Sequence, residues 1–301
     1  MNILVTGANG QLGNEMRLLA PSRNDRFVFA DILEVSGKET SILDITDSEA
    51  VIKAVRGNNI DIIVNCAAYT NVDRAGTEPE LCAAINATAP GILAAAAKEA
   101  GALLVHISTD YVFDGRLRDT AYSENDLCCP SSVYGQTKLD GERAITASGC
   151  NHVILRTSWL YSGSGKNFVK TMLTLFAQKD RISVVSDQIG SPTCASDLAE
   201  AVCKVIDDYS ACGNRLAYAK NGIYHYSNGG SCSWYEFARK IAEVSGCTSC
   251  TILPCSSEEY PSAVTRPAYS VLDKTKVMAV FGTAVPHWEE SLIKHLKDIR
   301  I

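Results

Sequence analysis

Tyr134 and Lys138 stand four residues apart in a stretch rich in helix-forming residues. Positions four apart lie on one face of a helix, so the phenol and the ammonium would be neighbours. A cation beside a phenol favours the phenolate and lowers the tyrosine pKa from its usual value of about 10. The pair therefore predicts a tyrosine that serves as a proton donor, with its pKa lowered by Lys138. Both residue types are also common on ordinary helix surfaces, so support is needed from elsewhere in the chain.

The chain opens with an apolar, β-prone run that ends in a glycine-rich turn, Gly7-x-x-Gly10-x-x-Gly13, followed by a helical pattern. Strand, glycine turn and helix in this order form the context of a dinucleotide-binding fingerprint. Gly7 would permit the tight turn, Gly10 the approach of a pyrophosphate, and Gly13 close packing of helix on strand. The helix N-terminus would offer N–H groups to the phosphates. The spacing differs from the commoner G-x-G-x-x-G, and the alternative is a β-turn with incidental glycines.

The first half of the chain alternates strand and helix patterns, which predicts an α/β fold with a doubly wound parallel sheet. Predicted strands cover 27–30, 60–65, 103–107 and 152–156, and predicted helices cover 14–20, 48–55, 80–101 and 134–147. Ligands bind such sheets at the carboxyl ends of the strands. The candidate residues follow these ends at 7–13, 31, 67–70 and 108–110. Asp31 lies 18 residues after Gly13, where an acidic residue usually binds the adenosine ribose and favours NADH.

Composition narrows the class of protein. The chain has 301 residues, 46% of them hydrophobic and 21% charged, enough for one large or two smaller domains. A net charge of −6 without a basic run indicates neither a nucleic-acid nor an anionic-membrane partner. We expect no membrane span, because no apolar stretch approaches about 20 residues. The N-terminal strand leaves no room for a signal peptide, so a cytoplasmic location is expected.

The 12 cysteines are expected to be thiols, mostly buried, as in other cytosolic proteins. Cys247-x-x-Cys250 has no second pair at zinc-site spacing, and the five histidines are scattered. Neither a metal site nor a redox site is therefore predicted.

Four motifs together resemble the extended short-chain dehydrogenase/reductase superfamily: the glycine turn, 65–68 (Asn-Cys-Ala-Ala), 108–115 (Ser-Thr-Asp-Tyr-Val-Phe-Asp-Gly) and Tyr134-x-x-x-Lys138. Further motifs at 68–73, 156–161, 187–193 and 266–267 are similar to the dTDP-4-dehydrorhamnose reductase family, and the resemblance runs along the whole chain. We predict a Rossmann-type NAD(P)-binding domain formed by 1–155 and 188–222. A smaller, discontinuous α/β substrate domain would comprise 156–187 and 223–301, with a helix that begins at Ser233.

The resemblance implies reduction of the C4 ketone of dTDP-4-dehydro-6-deoxy-L-mannose by NADPH or NADH, which gives dTDP-L-rhamnose. Tyr134 would donate the proton, Lys138 would also bind the nicotinamide ribose, and Thr109 would hold the carbonyl oxygen. The cofactor-binding residues implied are Gly7, Gly10, Gln11, Leu12, Gly13, Asp31, Asp44, Ile45, Ala67, Ala68, Tyr69, Thr70, Tyr134 and Lys138. The substrate-binding residues implied are Thr109, Asp110, Trp159 and Arg266.

Several of these residues have an ordinary structural alternative. Thr109 could cap a turn at the end of a strand, and Asp44 could be a helix N-cap. Trp159 could be a core aromatic rather than a sugar contact. Arg266 could bind a diphosphate by forked hydrogen bonds or be a solvated surface charge. Arg17 could help to admit the 2′-phosphate of NADPH, so the choice between NADPH and NADH stays open.

Some relatives hold Mg²⁺ between subunits, partly through a glutamate on the first helix and another after a Pro-Thr motif. Glu15 is present here, but the second region reads Ala195-Ser196-Asp197. The sequence therefore does not support the metal, and both a monomer and a homodimer stay open.

Three other functions remain as alternatives. The first is a reductase that acts on another nucleotide-linked 4-keto sugar. The second is an epimerase or dehydratase on the same scaffold, although a dehydratase usually carries two carboxylates beside its threonine and Thr109-Asp110-Tyr111 supplies one. The third is a non-catalytic regulatory subunit that binds dinucleotide, against which the intact Thr109, Tyr134 and Lys138 argue.

Overall fold

The computed structural model describes residues 1–215, 218–260, 262 and 264–299. Its strands are β1 (Asn2–Thr6), β2 (Arg26–Asp31), β3 (Ser41–Ile42), β4 (Ile62–Asn65), β5 (Leu103–Thr109), β6 (Asn151–Thr157), β7 (Leu160–Tyr161), β8 (Arg181–Val185), β9 (Ile189–Gly190), β10 (Thr193–Cys194), β11 (Gly222–His225), β12 (Cys232–Ser233) and β13 (Thr251–Cys255). Its helices are α1 (Gln11–Leu19), α2 (Ser48–Gly57), α3 (Val72–Ala75), α4 (Pro79–Ala83), α5 (Ala89–Ala100), α6 (Val133–Ser148), α7 (Phe168–Gln178), α8 (Ala195–Ala211), α9 (Trp234–Ser245), α10 (Thr275–Phe281) and α11 (Trp288–His295).

Within the described residues, seven strands form one parallel sheet in the order β11-β6-β5-β4-β1-β2-β3. Successive residues of β1 point to opposite faces: Ile3 and Val5 pack with α1 and α8, and Leu4 packs with α2 and α5. Both faces are thus covered by helices, as the near-continuous apolar strands require. The predicted doubly wound, Rossmann-type fold is confirmed.

The predicted strands and helices are present, with their ends moved by a few residues. Helix α1 begins at Gln11 because Gly10 is its N-cap, and β5 continues to Thr109. The two-residue strand β3 and the strand β11 were not predicted. Strand β11 extends the large sheet to His225, beyond the predicted domain boundary at 222. We therefore propose that this boundary lies after His225.

A second apolar core lies apart from the large sheet. It is built by α7, α9 and α11 with the parallel pair β8–β13, and includes the buried Phe176, Phe237 and Leu292. Helix α9 begins where predicted, since the Ser233 side chain accepts from the Glu236 N–H and the Glu236 carboxylate accepts in return from the Ser233 N–H. Residues that pack on this core, among them Trp159 and Trp234, also line a cleft at the edge of the large sheet.

Helices α4 and α5 are joined by a π-helical turn, Ala84–Thr88, into one helical run, Pro79–Ala100. By length and composition this 22-residue run could cross a membrane, so the expectation that no stretch reaches this length was wrong. Its residues Leu93, Ala94 and Ala97 are fully buried against the large sheet. A core helix passes the same test of length and composition, and one such helix is weak evidence for a span.

All 12 cysteines are free thiols, as predicted, and six are buried. Burial raises the pKa of Cys66 to about 12, which keeps this thiol neutral. In the part of the chain that the structure describes, no three His, Cys, Asp or Glu side chains come close enough to hold a metal ion.

Gly13 allows α1 to lie directly on the preceding turn. A Cβ at this position would be 2.4 Å from the Gly7 carbonyl oxygen and 2.5 Å from the Ala8 Cα. We expect Gly13→Ala to lower the free energy of unfolding by about 1–3 kcal/mol, since backbone atoms must move. Gly57→Ala is the control, because a Cβ there meets nothing within 4 Å. Urea unfolding of both variants measures the difference, and equal stabilities would contradict the close packing.

Candidate active site

A cleft of about 1570 Å³ opens at the carboxyl ends of the strands of the large sheet and is closed on its far side by residues of the second core. A site for one drug-sized ligand occupies about 300–1000 Å³, so this cleft has room for two ligands. Sixteen of the predicted residues line it: Gly7, Gly10, Gln11, Leu12, Asp31, Asp44, Ile45, Ala67, Ala68, Thr70, Thr109, Asp110, Tyr134, Lys138, Trp159 and Arg266. Gly13 and Tyr69 do not line it.

The glycine turn has the geometry that a pyrophosphate needs. Gly7 has φ +64°, and a Cβ there would be 2.5 Å from the Ala67 N atom, so a side chain at this position would clash with the backbone of the loop after β4. Gly10 caps α1 without a side-chain hydrogen bond. The first N–H groups of α1 therefore face the cleft with the positive end of the helix dipole. Gly13 does not line the cleft and instead allows α1 to pack closely on the turn.

Asp31 is the last residue of β2, as predicted, and its Oδ2 accepts from the Asn9 N–H at 2.9 Å. The carboxylate is thus fixed to the glycine turn and still lines the cleft. Arg17 is turned away: its guanidinium donates to the Glu39 carbonyl at 2.6 Å and lies over the Phe29 ring.

Asp44 also lines the cleft, and its carboxylate accepts from the Thr46 N–H at 2.8 Å. The N-cap of α2 is Asp47, whose Oδ1 accepts from two backbone N–H groups. The alternative that made Asp44 the helix cap is therefore wrong.

The loop after β4 is held by Asn86, a residue that the sequence analysis missed. The Asn86 side chain accepts from the Tyr69 N–H and donates to the Tyr69 carbonyl, both at 2.9 Å. The Tyr69 hydroxyl donates to Glu78, so its ring does not line the cleft. Asn86 lies in the π-helical turn, which a regular helical periodicity does not indicate.

Tyr134 lies in the first turn of α6, which begins where the Ser132 hydroxyl accepts from the Gly135 N–H at 3.1 Å. Its ring meets the Tyr111 ring edge-on, with centroids 5.4 Å apart. Thr109 ends β5, donates to Asp110 Oδ1 at 2.9 Å and accepts from the Tyr111 N–H at 3.2 Å. The structural alternative for Thr109, a turn cap, is therefore real, but the same hydroxyl also lies at Tyr134 in the cleft.

The electrostatics of the pair differ from the prediction. Burial raises the pKa of Tyr134 above its usual value, while hydrogen bonding with Thr109 acts in the opposite direction. The Lys138 Nζ atom donates to the Ile107 carbonyl at 2.7 Å and lies 3.3 Å from His106 Nε2. Burial lowers the pKa of Lys138 to about 8. The predicted lowering of the Tyr134 pKa by Lys138 is therefore wrong for this structure, in which Tyr134 is a neutral phenol.

Asp110 is only 4% exposed, and its Oδ2 atom is buried without a hydrogen-bond partner. Burial raises the pKa of Asp110 to about 6, against the opposing hydrogen bonds from Thr109 and from Ser270, which also lines the cleft. Buried carboxylate oxygens are normally hydrogen-bonded, so this atom has the capacity to accept a further hydrogen bond.

Trp159 has φ +46°, in the left-handed region that a bulky residue rarely adopts. Its ring stacks on Trp234 of α9 with centroids 3.5 Å apart and planes 7° apart, and both rings line the cleft. Trp159 also packs against the second core, so part of the structural alternative holds. The sequence analysis placed Trp234 in a helix but did not predict that it lines the site.

Arg266 is neither isolated nor simply solvated. Its Nη2 atom donates to both carboxylate oxygens of Asp73, at 3.0 and 2.9 Å, and both side chains line the cleft. The ion pair connects the C-terminal part of the chain to α3, which follows β4.

Behind the cleft, a buried ion pair fixes the position of α6. Arg156 on β6 donates to Glu142 through Nε at 2.9 Å and through Nη2 at 2.6 Å, and both side chains are 2% exposed. The Ser108 hydroxyl on β5 donates to the same carboxylate. The sequence analysis missed the pair of Arg156 and Glu142. A charged residue within a predicted strand does not indicate which residue of another element it will contact.

Asp197 lies in the segment that the sequence analysis compared with a metal-binding region of some relatives. Asp197 on α8 is buried and accepts from the Asn228 side-chain amide at 2.7 Å and from the Ser291 hydroxyl. These donors, which lie in the described part of the chain, show that Asp197 serves as an internal hydrogen-bond acceptor.

Comparison with known proteins agrees with this geometry. A family model described as the RmlD substrate binding domain matches residues 1–301. The spore coat polysaccharide biosynthesis protein SpsK of Bacillus subtilis is 40% identical over 296 residues, which cover 98% of this chain and 97% of that protein.

Two solved structures are similar along almost the whole length. A dTDP-4-dehydrorhamnose reductase from Clostridium acetobutylicum is 40% identical, with a TM-score of 0.89 and 99% of each chain covered. A dTDP-4-dehydrorhamnose reductase from Bacillus anthracis, solved in complex with NADP, is 38% identical, with a TM-score of 0.86 and 99% of each chain covered. The chain therefore belongs to the RmlD substrate binding domain family, together with these dTDP-4-dehydrorhamnose reductases.

Proposed function

We propose that the protein is an NAD(P)H-dependent oxidoreductase that reduces the C4 ketone of dTDP-4-dehydro-β-L-rhamnose to dTDP-β-L-rhamnose. This reaction is the last step of dTDP-rhamnose biosynthesis. The observation that carries the proposal is the convergence of Thr109, Tyr134 and Lys138 in the middle of a cleft with room for two ligands. The reductases that are 38–40% identical over 99% of this chain support the choice of substrate.

The glycine turn and the start of α1 fit a dinucleotide. The turn and the helix N-terminus would hold the pyrophosphate, and Asp31 would accept from the adenosine ribose, which favours NADH. Asp44, Ile45 and the loop 67–70 would flank the rest of the cofactor. NADPH is retained as a cofactor, since the solved Bacillus anthracis relative is a complex with NADP. When bound, the cofactor supplies the hydride for the ketone carbon.

The protein's own side chains handle the proton. Tyr134 would transfer its hydroxyl proton to the C4 oxygen as negative charge develops there. The Thr109 hydroxyl, which donates to Asp110 in this structure, would turn its single proton to the same oxygen. Lys138 would bind the nicotinamide ribose and, once protonated near Tyr134, would stabilise the phenolate that the transfer leaves.

The remaining residues would recognise the sugar nucleotide. Trp159 would contact the sugar ring, and Asp110 Oδ2 would accept from a sugar hydroxyl. Arg266 would bind the diphosphate through guanidinium N–H groups other than those that bond Asp73.

We further propose a cytoplasmic enzyme without a resident metal, a monomer or homodimer that has no nucleic-acid or membrane partner. The domain division given above belongs to this proposal. The substitution of the second metal-binding region by Ala195-Ser196-Asp197 supports the absence of Mg²⁺.

The direct test is nicotinamide absorbance at 340 nm with dTDP-4-dehydro-L-rhamnose made in situ, using NADPH and then NADH. We expect substrate-dependent loss of reduced cofactor and formation of dTDP-rhamnose. Cofactor binding without oxidation would contradict the proposed substrate. It would favour another 4-keto sugar or a regulatory subunit.

Tyr134→Phe removes the proton donor and keeps the ring that packs on Tyr111. We expect kcat to fall at least 100-fold, the usual scale of a lost general acid, with the Kd for NADH unchanged. Steady-state kinetics and NADH fluorescence titration measure the two quantities. Tyr111→Phe is a matched control on the same ring pair and should retain far more activity. A Tyr134→Phe variant with near-normal kcat would refute the assignment.

Asp110 predicts a pH dependence of substrate binding. The pKa of about 6 means that the acceptor carboxylate is lost as the pH falls through this value. We therefore expect KM for the sugar nucleotide to be constant above pH 7 and to rise by up to about tenfold per unit below pH 6. Asp110→Asn should raise KM at pH 7 and abolish this dependence. A wild-type KM that does not change between pH 5 and pH 8 would argue against an ionised Asp110 as the acceptor.

A further inference from the structure

A row of buried polar side chains leads away from Lys138 into the large sheet. His106 on β5 and Asn65 on β4 are fully buried, and Thr6 on β1 is 1% exposed. Lys138 Nζ lies 3.3 Å from His106 Nε2, and His106 Nδ1 lies 2.9 Å from Asn65 Nδ2. The Thr6 hydroxyl donates to Asn65 Oδ1 at 2.8 Å. The row connects three adjacent strands to the proposed catalytic lysine.

The backbone fixes which way the Asn65 amide points. The Ala67 N–H donates to Asn65 Oδ1 at 3.1 Å, and a backbone N–H can only donate. A flipped amide would place its NH₂ group against this N–H, so Nδ2 must be the atom that faces His106. Nδ2 can only donate, and His106 Nδ1 is therefore an acceptor that carries no proton.

His106 is a neutral imidazole with its proton on Nε2. Burial holds the pKa of His106 well below its usual value, so the ring is not doubly protonated, and any positive charge on Lys138 would lower this pKa further. With Nδ1 committed to Asn65, the single ring proton is on Nε2, which is the atom that faces Lys138 Nζ.

This arrangement suits a neutral amine better than an ammonium. An ammonium has three donors and no lone pair, so it would face the Nε2–H as donor against donor. A neutral amine accepts from Nε2–H and still donates to the Ile107 carbonyl at 2.7 Å. The opposite tautomer of His106, with its proton on Nδ1, would instead place this N–H against the Asn65 Nδ2 donor.

The charges around Lys138 do not remove this conflict. Glu142, one turn along α6, favours the ammonium, but its carboxylate is already paired with Arg156. The Cys82 thiol on α4 acts weakly in the same direction, and Tyr134 is neutral. Desolvation, the largest influence on Lys138, favours the neutral amine.

We propose that Asn65, by fixing the tautomer of His106, favours the neutral amine of Lys138, and that cofactor binding in alkaline solution makes Lys138 take up a proton from solvent. The ribose hydroxyl oxygens would provide the acceptors that the ammonium lacks. Asn65 and His106 are thus positioning residues that couple cofactor binding to the charge of Lys138. The inference rests on the proposed contact between Lys138 and the cofactor.

Whether protons are taken up or released on NADH binding follows from the order of the Lys138 pKa values before and after binding. The Lys138 pKa is lower before binding than in the complex, so uptake occurs at pH values above the lower pKa, which is about 8. For that value, uptake is about 0.1 proton per NADH at pH 7 and about 0.9 at pH 9. The affinity for NADH falls about tenfold over the same interval.

Isothermal titration calorimetry with NADH, in two buffers of different ionisation enthalpy at pH 7 and at pH 9, counts the protons directly. NADH is used because it lacks the titratable 2′-phosphate of NADPH. We expect wild-type protein to show the rise in uptake and the tenfold loss of affinity.

Two variants remove the tautomer constraint in different ways. Asn65→Asp keeps an acceptor for Ala67 and Thr6 but accepts from His106 Nδ1–H, which leaves Nε2 as an acceptor for the ammonium. His106→Gln adds no charge and can present its carbonyl oxygen to Lys138. In both variants, proton uptake on NADH binding at pH 9 should fall to less than half of the wild-type value. The affinity of both variants for NADH should depend little on pH.

His152→Gln is the matched control. His152 is a buried histidine on the adjacent strand β6, and its ring bonds the Cys150 carbonyl instead of Lys138. This variant should take up protons as the wild type does, and circular dichroism checks that all three variants are folded.

Equal uptake by wild-type protein at pH 7 and pH 9 would overturn the inference while leaving the proposed function intact. The inference would also be overturned if Asn65→Asp and His106→Gln both took up as many protons on NADH binding as the wild-type protein. Failure of wild-type protein to bind NADH at any pH would overturn the proposed function and the inference together.

Discussion

The buried ion pair between Glu142 and Arg156 is the interaction on which the geometry of the site depends. It joins the middle of α6 to β6, and the Ser108 hydroxyl joins the same carboxylate to β5. Removing one partner of a buried pair leaves an unpaired charge in the interior, so α6 cannot shift along the sheet without a large loss of stability. Tyr134 and Lys138 lie on the N-terminal part of this helix. Their distance from Thr109 is therefore set by a contact outside the cleft.

A second constraint acts on α6 from the other side. A Cβ at Gly141 would be 2.2 Å from the Asn86 carbonyl oxygen, so the helix packs directly on the π-helical turn. The Asn86 side chain holds the loop after β4, at which the cofactor is expected. One residue thus fixes both the catalytic helix and a wall of the cleft. This double use gives a structural role to a π-helical turn, which is unfavourable in a regular helix.

The sequence alone predicted the doubly wound sheet and most residues of the cleft, because the carboxyl ends of parallel strands must meet at one edge. It could not predict contacts that join distant segments. The partners of Arg266 and Trp159 are Asp73 and Trp234, which lie 193 and 75 residues away along the chain. Helical spacing placed Tyr134 and Lys138 on one face correctly. It gave no information on the His106 ring and Ile107 carbonyl that orient the lysine.

Desolvation explains why the electrostatic prediction was wrong although the positions were right. Burial favours the neutral form of every titratable group in the centre of the site: it raises the pKa of Tyr134 and Asp110 and lowers that of Lys138 and His106. A spacing rule derived from exposed helices considers the attraction between two charges but not the cost of having them out of water. Ligands that provide hydrogen-bond partners would therefore favour the charged forms of these groups. A proton donor that stays neutral until both ligands are bound is suited to ketone reduction, since it keeps its proton until negative charge develops on the substrate oxygen beside Thr109 and Tyr134.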